Sequence, residues 1–199
     1  MRFIAFQCAV FVTAACSHDP GLETDAGAGT ESESMDDSCE ILVFEDSALE
    51  EAVREELSIP AGDISGDAMA MLEDLDCWNK GIAHLSGLEC ALGLRSLGIG
   101  ANEIEDLTPL EDLAQIEELY LGGNPLSSIQ PLEKLLGLQI LVIDNCGVDD
   151  LACLSGMVHM RSFYIEDNSI ESLVPLDDWV DLEYFNASDN AVDDIAPLE

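Results

Sequence analysis

The stretch VIDNCGVDDLACL, residues 142–154, gathers side chains that can do chemistry. Cys146 and Cys153 are flanked by Asp144, Asp149 and Asp150, and His159 follows. Thiolates with imidazole could hold zinc, paired thiols could cycle a disulfide, and a thiol beside a base could attack a carbonyl. The spacing favours none of these. The other histidines are His18 and His84, too scattered to complete a zinc pair. A bridge from Cys146 to Cys153 would join turn positions too far apart for relaxed geometry. The acidic turns DNCGVDD and SDNAVDD lack the alternating ligands and central glycine of a calcium loop. There is no nucleophile elbow and no phosphate-binding loop. No catalytic residue, metal or cofactor is expected.

The elements that position these residues explain them better. Asparagines recur at Asn102, Asn124, Asn168 and Asn190, in steps of 22, 44 and 22, and Cys146 occupies the missing rung. Apolar columns keep the same step: Leu97, Leu119, Leu141, Phe163, Phe185, then Ile99, Leu121, Ile143, Ile165, Ala187. Others run Ile104 to Val192, Leu107 to Ile195 and Leu110 to Leu198. Prolines 109, 131, 175 and 197 form a further column, whose missing rung is Cys153. Asp149 and Asp150 match Glu105 and Asp106 of an earlier coil, so they belong to a general acidic rim, and His159 falls at a variable outer position. The pattern L-x-x-L-x-L-x-x-N-x-L is the leucine-rich repeat. One unit cannot bury its own leucines, so the units must stack. The predicted fold is an α/β solenoid with a parallel β-sheet on its concave face and a helical N-terminal cap.

The 22-residue unit ending L-x-P-L-x-x-L resembles the internalin-like subclass of leucine-rich repeat proteins. Residues 48–94 resemble the helical amino-terminal cap and first degenerate repeat of its bacterial members, with Leu72, Leu75, Cys77, Ile82, Leu85 and Leu88 set 22 before Leu94, Leu97, Ile99, Ile104, Leu107 and Leu110. The resemblance covers residues 41–199 and implies fold far more than function. Within the cap, SALEEAVREEL (47–57) predicts an amphipathic helix opened by a Ser47–Glu50 capping box and stopped by Pro60. A second helix is expected from Ser65 into Leu72.

Upstream, MRFIAFQCAVFVTAACS has the basic start and short apolar run of a secretory signal peptide, residues 1–15. VTAAC resembles a bacterial lipobox, although Thr13 stands where that motif prefers Leu. The resemblance implies a lipid on Cys16, export across the inner membrane, and a cell-envelope lipoprotein at the outer membrane or cell surface, with Ser17 compatible with outer-membrane sorting. An ordinary signal peptide cut near Ala15 is the alternative. Residues 16–38, rich in Gly, Ser, Glu and Asp, read as a disordered acidic tether. The cap is assigned to 39–71 and the repeats to 72–199, the first degenerate and the last incomplete.

The chain carries 42 acidic residues against 6 Lys and Arg, a net charge of -36. Phosphates would be repelled, so nucleic acid is excluded as a partner. Such a surface suits either high salt or a cationic partner. Strand alternation then identifies the residues left over for binding. One outward row is Asp76, Gly98, Tyr120, Val142, Tyr164, Asn186; its neighbours are Asp74, Ser96, Glu118, Ile140, Ser162, Tyr184 and Trp78, Gly100, Gly122, Asp144, Glu166, Ser188. Tyr120, Ile140, Val142, Tyr164 and Tyr184 should cluster, rimmed by Glu118, Asp144 and Glu166. Aromatics in an acid-rimmed patch suit an interface with a protein or a glycan. Trp179 falls in a core column and is expected to pack.

Cys90 aligns with the polar positions Asp112, Lys134 and Asp178, where exposure is expected, so a cysteine there needs a reason. A Cys39–Cys90 disulfide would staple the cap to the first coil; Cys39–Cys77 is the alternative. The chain stops inside a repeat, which should leave Phe185, Ile195 and Leu198 partly exposed. Edge pairing as a scaffold or regulatory subunit, or truncation to a paralogue without a partner, are therefore alternatives to concave-face binding.

Overall fold

A computed structural model of the chain describes residues 42–198. Cys16, Cys39 and the tether lie outside them. Six three-residue strands form one parallel sheet in sequential order: β1 (Asp74–Asp76), β2 (Ser96–Gly98), β3 (Glu118–Tyr120), β4 (Ile140–Val142), β5 (Ser162–Tyr164) and β6 (Tyr184–Asn186). Each residue pairs with the one 22 later, Leu97 with Leu119, Leu119 with Leu141 and Leu141 with Phe163. The 22-residue step is thus the strand register. The chain is a leucine-rich repeat solenoid whose middle strand residues point into the core.

Between strands the chain returns through short 3-10 turns. Those at Thr108–Leu110, Gln130–Lys134 and Val174–Leu176 carry proline in their first two positions, where its fixed φ suits the turn and its missing N–H costs nothing. Ala152–Leu154 forms the same turn with Cys153 in proline's place.

Asparagine side chains lace the coils together. Asn124 donates to the carbonyls of Ile99 and Leu121 and accepts from the Ile104 amide at 3.1 Å. Asn102, Asn168 and Asn190 repeat this arrangement. Backbone groups buried by stacking are thereby paired. A second periodic feature precedes each rung. Asn79, Ala101, Gly123, Asn145, Asp167 and Asp189 all have left-handed φ, between 50° and 77°. Only Gly123 is a glycine, so composition does not advertise the position.

Ahead of the sheet, α1 (Ser47–Glu56) buries Leu49, Ala52 and Val53 and packs against β1. Its N-cap is Asp46, not Ser47: the Asp46 carboxylate accepts from the amides of Ala48 and Leu49. Asp46 wins because its second oxygen also accepts from the Ala83 amide at 2.9 Å, a tie to the first coil that Ser47 could not make. Nor does Pro60 end the helix. The chain reverses at Ser58 (φ 55), where the Ile59 amide reaches back to the Arg54 carbonyl at 2.9 Å. The second helix, α2 (Gly66–Met69), starts from the Ser65 cap but stops before Leu72. The chain tightens there because Leu72, 2% exposed, must enter the core as the first rung of its column.

One core runs from Leu49 to Trp179. Phe163 is fully buried and meets Trp179 edge-to-face at 5.1 Å and Phe185 at 6.1 Å. Trp179 packs as its column implies. Phe185 is half-buried, and Ile195 and Leu198 are exposed.

Candidate functional site

The concave surface follows from alternation on three-residue strands. The middle residue is buried in β1 to β5, and its two neighbours face outward. In-register pairing sets Tyr120 beside Val142 and Val142 beside Tyr164. It likewise sets Glu118 beside Ile140, Ile140 beside Ser162, and Ser162 beside Tyr184. Tyr120, Ile140, Val142 and Tyr164 are half-buried by their neighbours, while Tyr184 is 59% exposed. Tyr120, Val142 and Tyr164 thus adjoin as a band across β3 to β5, with Ile140 on the same strand as Val142, while Ser162 separates Ile140 from Tyr184.

Acids border the band and also hold it. The Tyr120 hydroxyl donates to Glu118 Oε2 at 3.0 Å. Burial, with this carboxylate beside it, raises the Tyr120 phenol from 10.0 to about 12. Asp144 Oδ1 accepts from the Glu166 amide at 2.7 Å, and Glu166 Oε2 accepts from Asn186 Nδ2 at 2.9 Å. Burial raises the Asp144 pKa and the neighbouring Glu166 charge adds to it, while the Glu166 amide works the other way. The outward rows of all six strands contain no Lys or Arg. Beside these rows Arg95, at the strand entry, pairs with Glu117 at 2.7 Å, and Gln139 donates to the same carboxylate at 3.0 Å.

Of the cysteine and aspartate cluster, Asp149, Asp150 and Cys153 line one small cavity of about 130 Å³, and Cys146 lies apart from it in the core. Cys146 is buried on the ladder rung, its thiol donating to the carbonyls of Leu121 (3.5 Å) and Asp144 (3.4 Å). Cys153 donates to the Ile129 carbonyl at 3.4 Å from the return turn. Both are free, as is Cys77. Burial raises all three thiols, Cys77 to about 12 and Cys153 to about 11, so none forms a reactive thiolate near neutrality. His159 is exposed on the outer side. Among the described residues no group of three His, Cys, Asp or Glu is placed to hold a metal ion.

Cys90 corrects an expectation. It is 5% exposed rather than solvent-facing, and it is disulfide-bonded. The segment ahead of α1 lies against the start of the same turn: a Cβ on Gly87 would lie 2.6 Å from Cδ1 of Phe44. A charged residue at position 90, as on later coils, would lose its water there.

Sequence reasoning placed Trp78 on an outward row but did not single it out. Trp78 is 55% exposed and lies against Gly100, where any Cβ would collide with its indole ring. With Glu56, Asp74, Asp76, Ser96, Gly98 and Tyr120 it lines a cavity of about 390 Å³ at the first coils. The available signal was the pair Gly98 and Gly100 on consecutive outward rows, one coil after a tryptophan.

Comparison with known proteins agrees with the fold. An internalin (inlF) from Listeria monocytogenes superposes with a TM-score of 0.76 at 25% identity, over 78% of this chain and 47% of that one. The fold is that of an internalin-like leucine-rich repeat protein. The functional domain of InlJ from the same organism, described as including a cysteine ladder, matches with a TM-score of 0.52 at 18% identity over 78% of this chain and 48% of that one. A leucine-rich repeat protein of Leptospira interrogans, LIC12759, matches at 0.56 and 17%, over 63% and 33%. These last two speak to fold alone. The chain spans about half the length of the inlF and InlJ structures, 47% and 48%. No protein-family profile and no curated protein sequence matches it.

Proposed function

We propose that the chain is a non-enzymatic protein-binding module that works outside the cytoplasm and recognises its partner through the concave sheet. The observation that carries this reading is the band Tyr120, Ile140, Val142, Tyr164 and Tyr184. These side chains have no role in the core columns or the turns, yet Tyr120, Val142 and Tyr164 adjoin in register, with Ile140 on the same strand as Val142 and Tyr184 beyond Ser162, and Glu118, Asp144 and Glu166 border them. Aromatic anchors with a polar rim are the usual composition of an interface centre. An internalin-like fold is consistent with a module of this kind.

In this reading Cys16 carries the lipid anchor, residues 16–38 hold the domain off the membrane, and α1 and α2 cap the first coil. Cys39 is the proposed partner of Cys90, since Cys77, Cys146 and Cys153 are free. The test uses the full chain with a photo-crosslinking residue at Val142, or at Leu136, which is 53% exposed outside the outward rows. A partner crosslinked from position 142 and lost on Tyr120→Ala/Tyr164→Ala supports the face. Equal yield from position 136, or yield from 142 unchanged by the double substitution, overturns it.

A further inference from the structure

The tyrosine band reaches the cavity at the first coils only through Tyr120, and the rest of that lining has a different chemistry. Trp78 presents an indole that is 55% exposed. Its position is built: the Trp78 amide donates to Asp76 Oδ1 at 3.1 Å, and Gly100 leaves room for the ring. Tyr120 supplies a second aromatic side chain, its hydroxyl already engaged by Glu118. Three carboxylates, Glu56, Asp74 and Asp76, share the lining, and among the described residues none of them has an ion-pair partner. A cavity of about 390 Å³ is within the usual range of ligand pockets.

We infer that this cavity receives an arginine side chain of the partner protein, stacked on Trp78 and paired with Asp74 and Asp76. The inference rests on the concave-face reading and specifies the partner's chemistry. A planar, weakly hydrated guanidinium stacks on an indole face and forks onto carboxylates, so one group answers both halves of the lining. An anion is repelled by three acids. An apolar occupant would strip water from carboxylates and leave them unpaired. A neutral sugar could stack on Trp78 but would leave the charges unmatched. The surroundings favour a cation too, with 42 acidic residues against 6 Lys and Arg in the chain.

The test titrates the full chain with N-acetyl-Gly-Arg-Gly-amide and with its citrulline counterpart, which keeps the shape and loses the charge. The readout is the Trp78 indole N–H resonance, assigned against Trp179. The arginine peptide is expected to bind about tenfold tighter or more than the citrulline peptide. Asp74→Asn/Asp76→Asn should abolish that margin, and Gly100→Ala, which pushes the indole from its seat without touching the acids, should weaken binding. Asp149→Asn/Asp150→Asn removes the same charge elsewhere on the rim and should change affinity by less than about twofold. No shift of the Trp78 resonance at millimolar peptide, equal affinity for citrulline, or equal loss in the 149/150 variant overturns the inference. Partner crosslinking from Val142 separates the two levels. If Asp74→Asn/Asp76→Asn crosslinks like wild type while Tyr164→Ala does not, the face stands and the arginine pocket falls.

Discussion

Phe163 and Tyr164 are neighbours on β5 and follow opposite rules. Phe163 points inward, fully buried, in a column that is Leu, Leu, Leu, Leu, Phe, Phe along the coils. Tyr164 points outward, in a row that reads Asp, Gly, Tyr, Val, Tyr, Asn. The inner column repeats because each coil must hand the next the same apolar shape. The outer row is free of that demand and varies at every step. The interior therefore encodes the fold, and the concave face is where partner-specific information can reside.

Substitutions can break this comparison, beginning inside. Phe163→Ala removes the ring that meets Trp179 and Phe185, and should lower unfolding free energy by about 3–5 kcal/mol, read by urea denaturation. A loss comparable to a surface change would mean that the coil does not depend on its inner column. Asn124→Ala comes next. It leaves the Ile104 amide without its side-chain partner, at about 1–3 kcal/mol if no water replaces it, while the Ile99 carbonyl keeps Asn102 Nδ2 and the Leu121 carbonyl keeps only the weak Cys146 thiol. Chemical denaturation, together with faster amide exchange at Ile104, would register it.

Cys146→Asn runs in the opposite direction. The thiol reaches the Leu121 and Asp144 carbonyls only at 3.5 and 3.4 Å, and an asparagine would restore the rung for about 1 kcal/mol of added stability. A destabilised variant would show that this coil has adapted to cysteine. The smallest expected effect is at Ala101, which holds φ 54 where the next coil has Gly123. Ala101→Gly trades a strained left-handed backbone for chain entropy, a net gain of about 0.5 kcal/mol visible as a small rise in Tm. Unchanged or lower Tm would remove strain from the account of that turn.

What could be read from the sequence divides along the same line. The register of all six strands was legible because the apolar columns, Leu75 to Phe185 among them, repeat one 22-residue step. The outward rows followed from alternation. Other features depend on contacts between segments with no shared period. Asp46 rather than Ser47 caps α1 because Ala83, far along the chain, donates to it. Cys90 is buried although its column is polar on later coils, and α2 packs against its turn. Trp78 forms a cavity wall only because Gly100, one coil later, has no side chain. The left-handed positions were hidden because one glycine among Asn, Ala and Asp does not look like a column.

The most direct measurement takes the neighbouring pair together. Full-length Phe163→Ala and Tyr164→Ala are compared for unfolding free energy and for crosslinking from Val142, at a temperature where both are folded. The account predicts that Phe163→Ala loses stability and keeps crosslinking, while Tyr164→Ala keeps stability within about 1 kcal/mol and loses crosslinking. Loss of crosslinking in Phe163→Ala with Tyr164→Ala still active would contradict it.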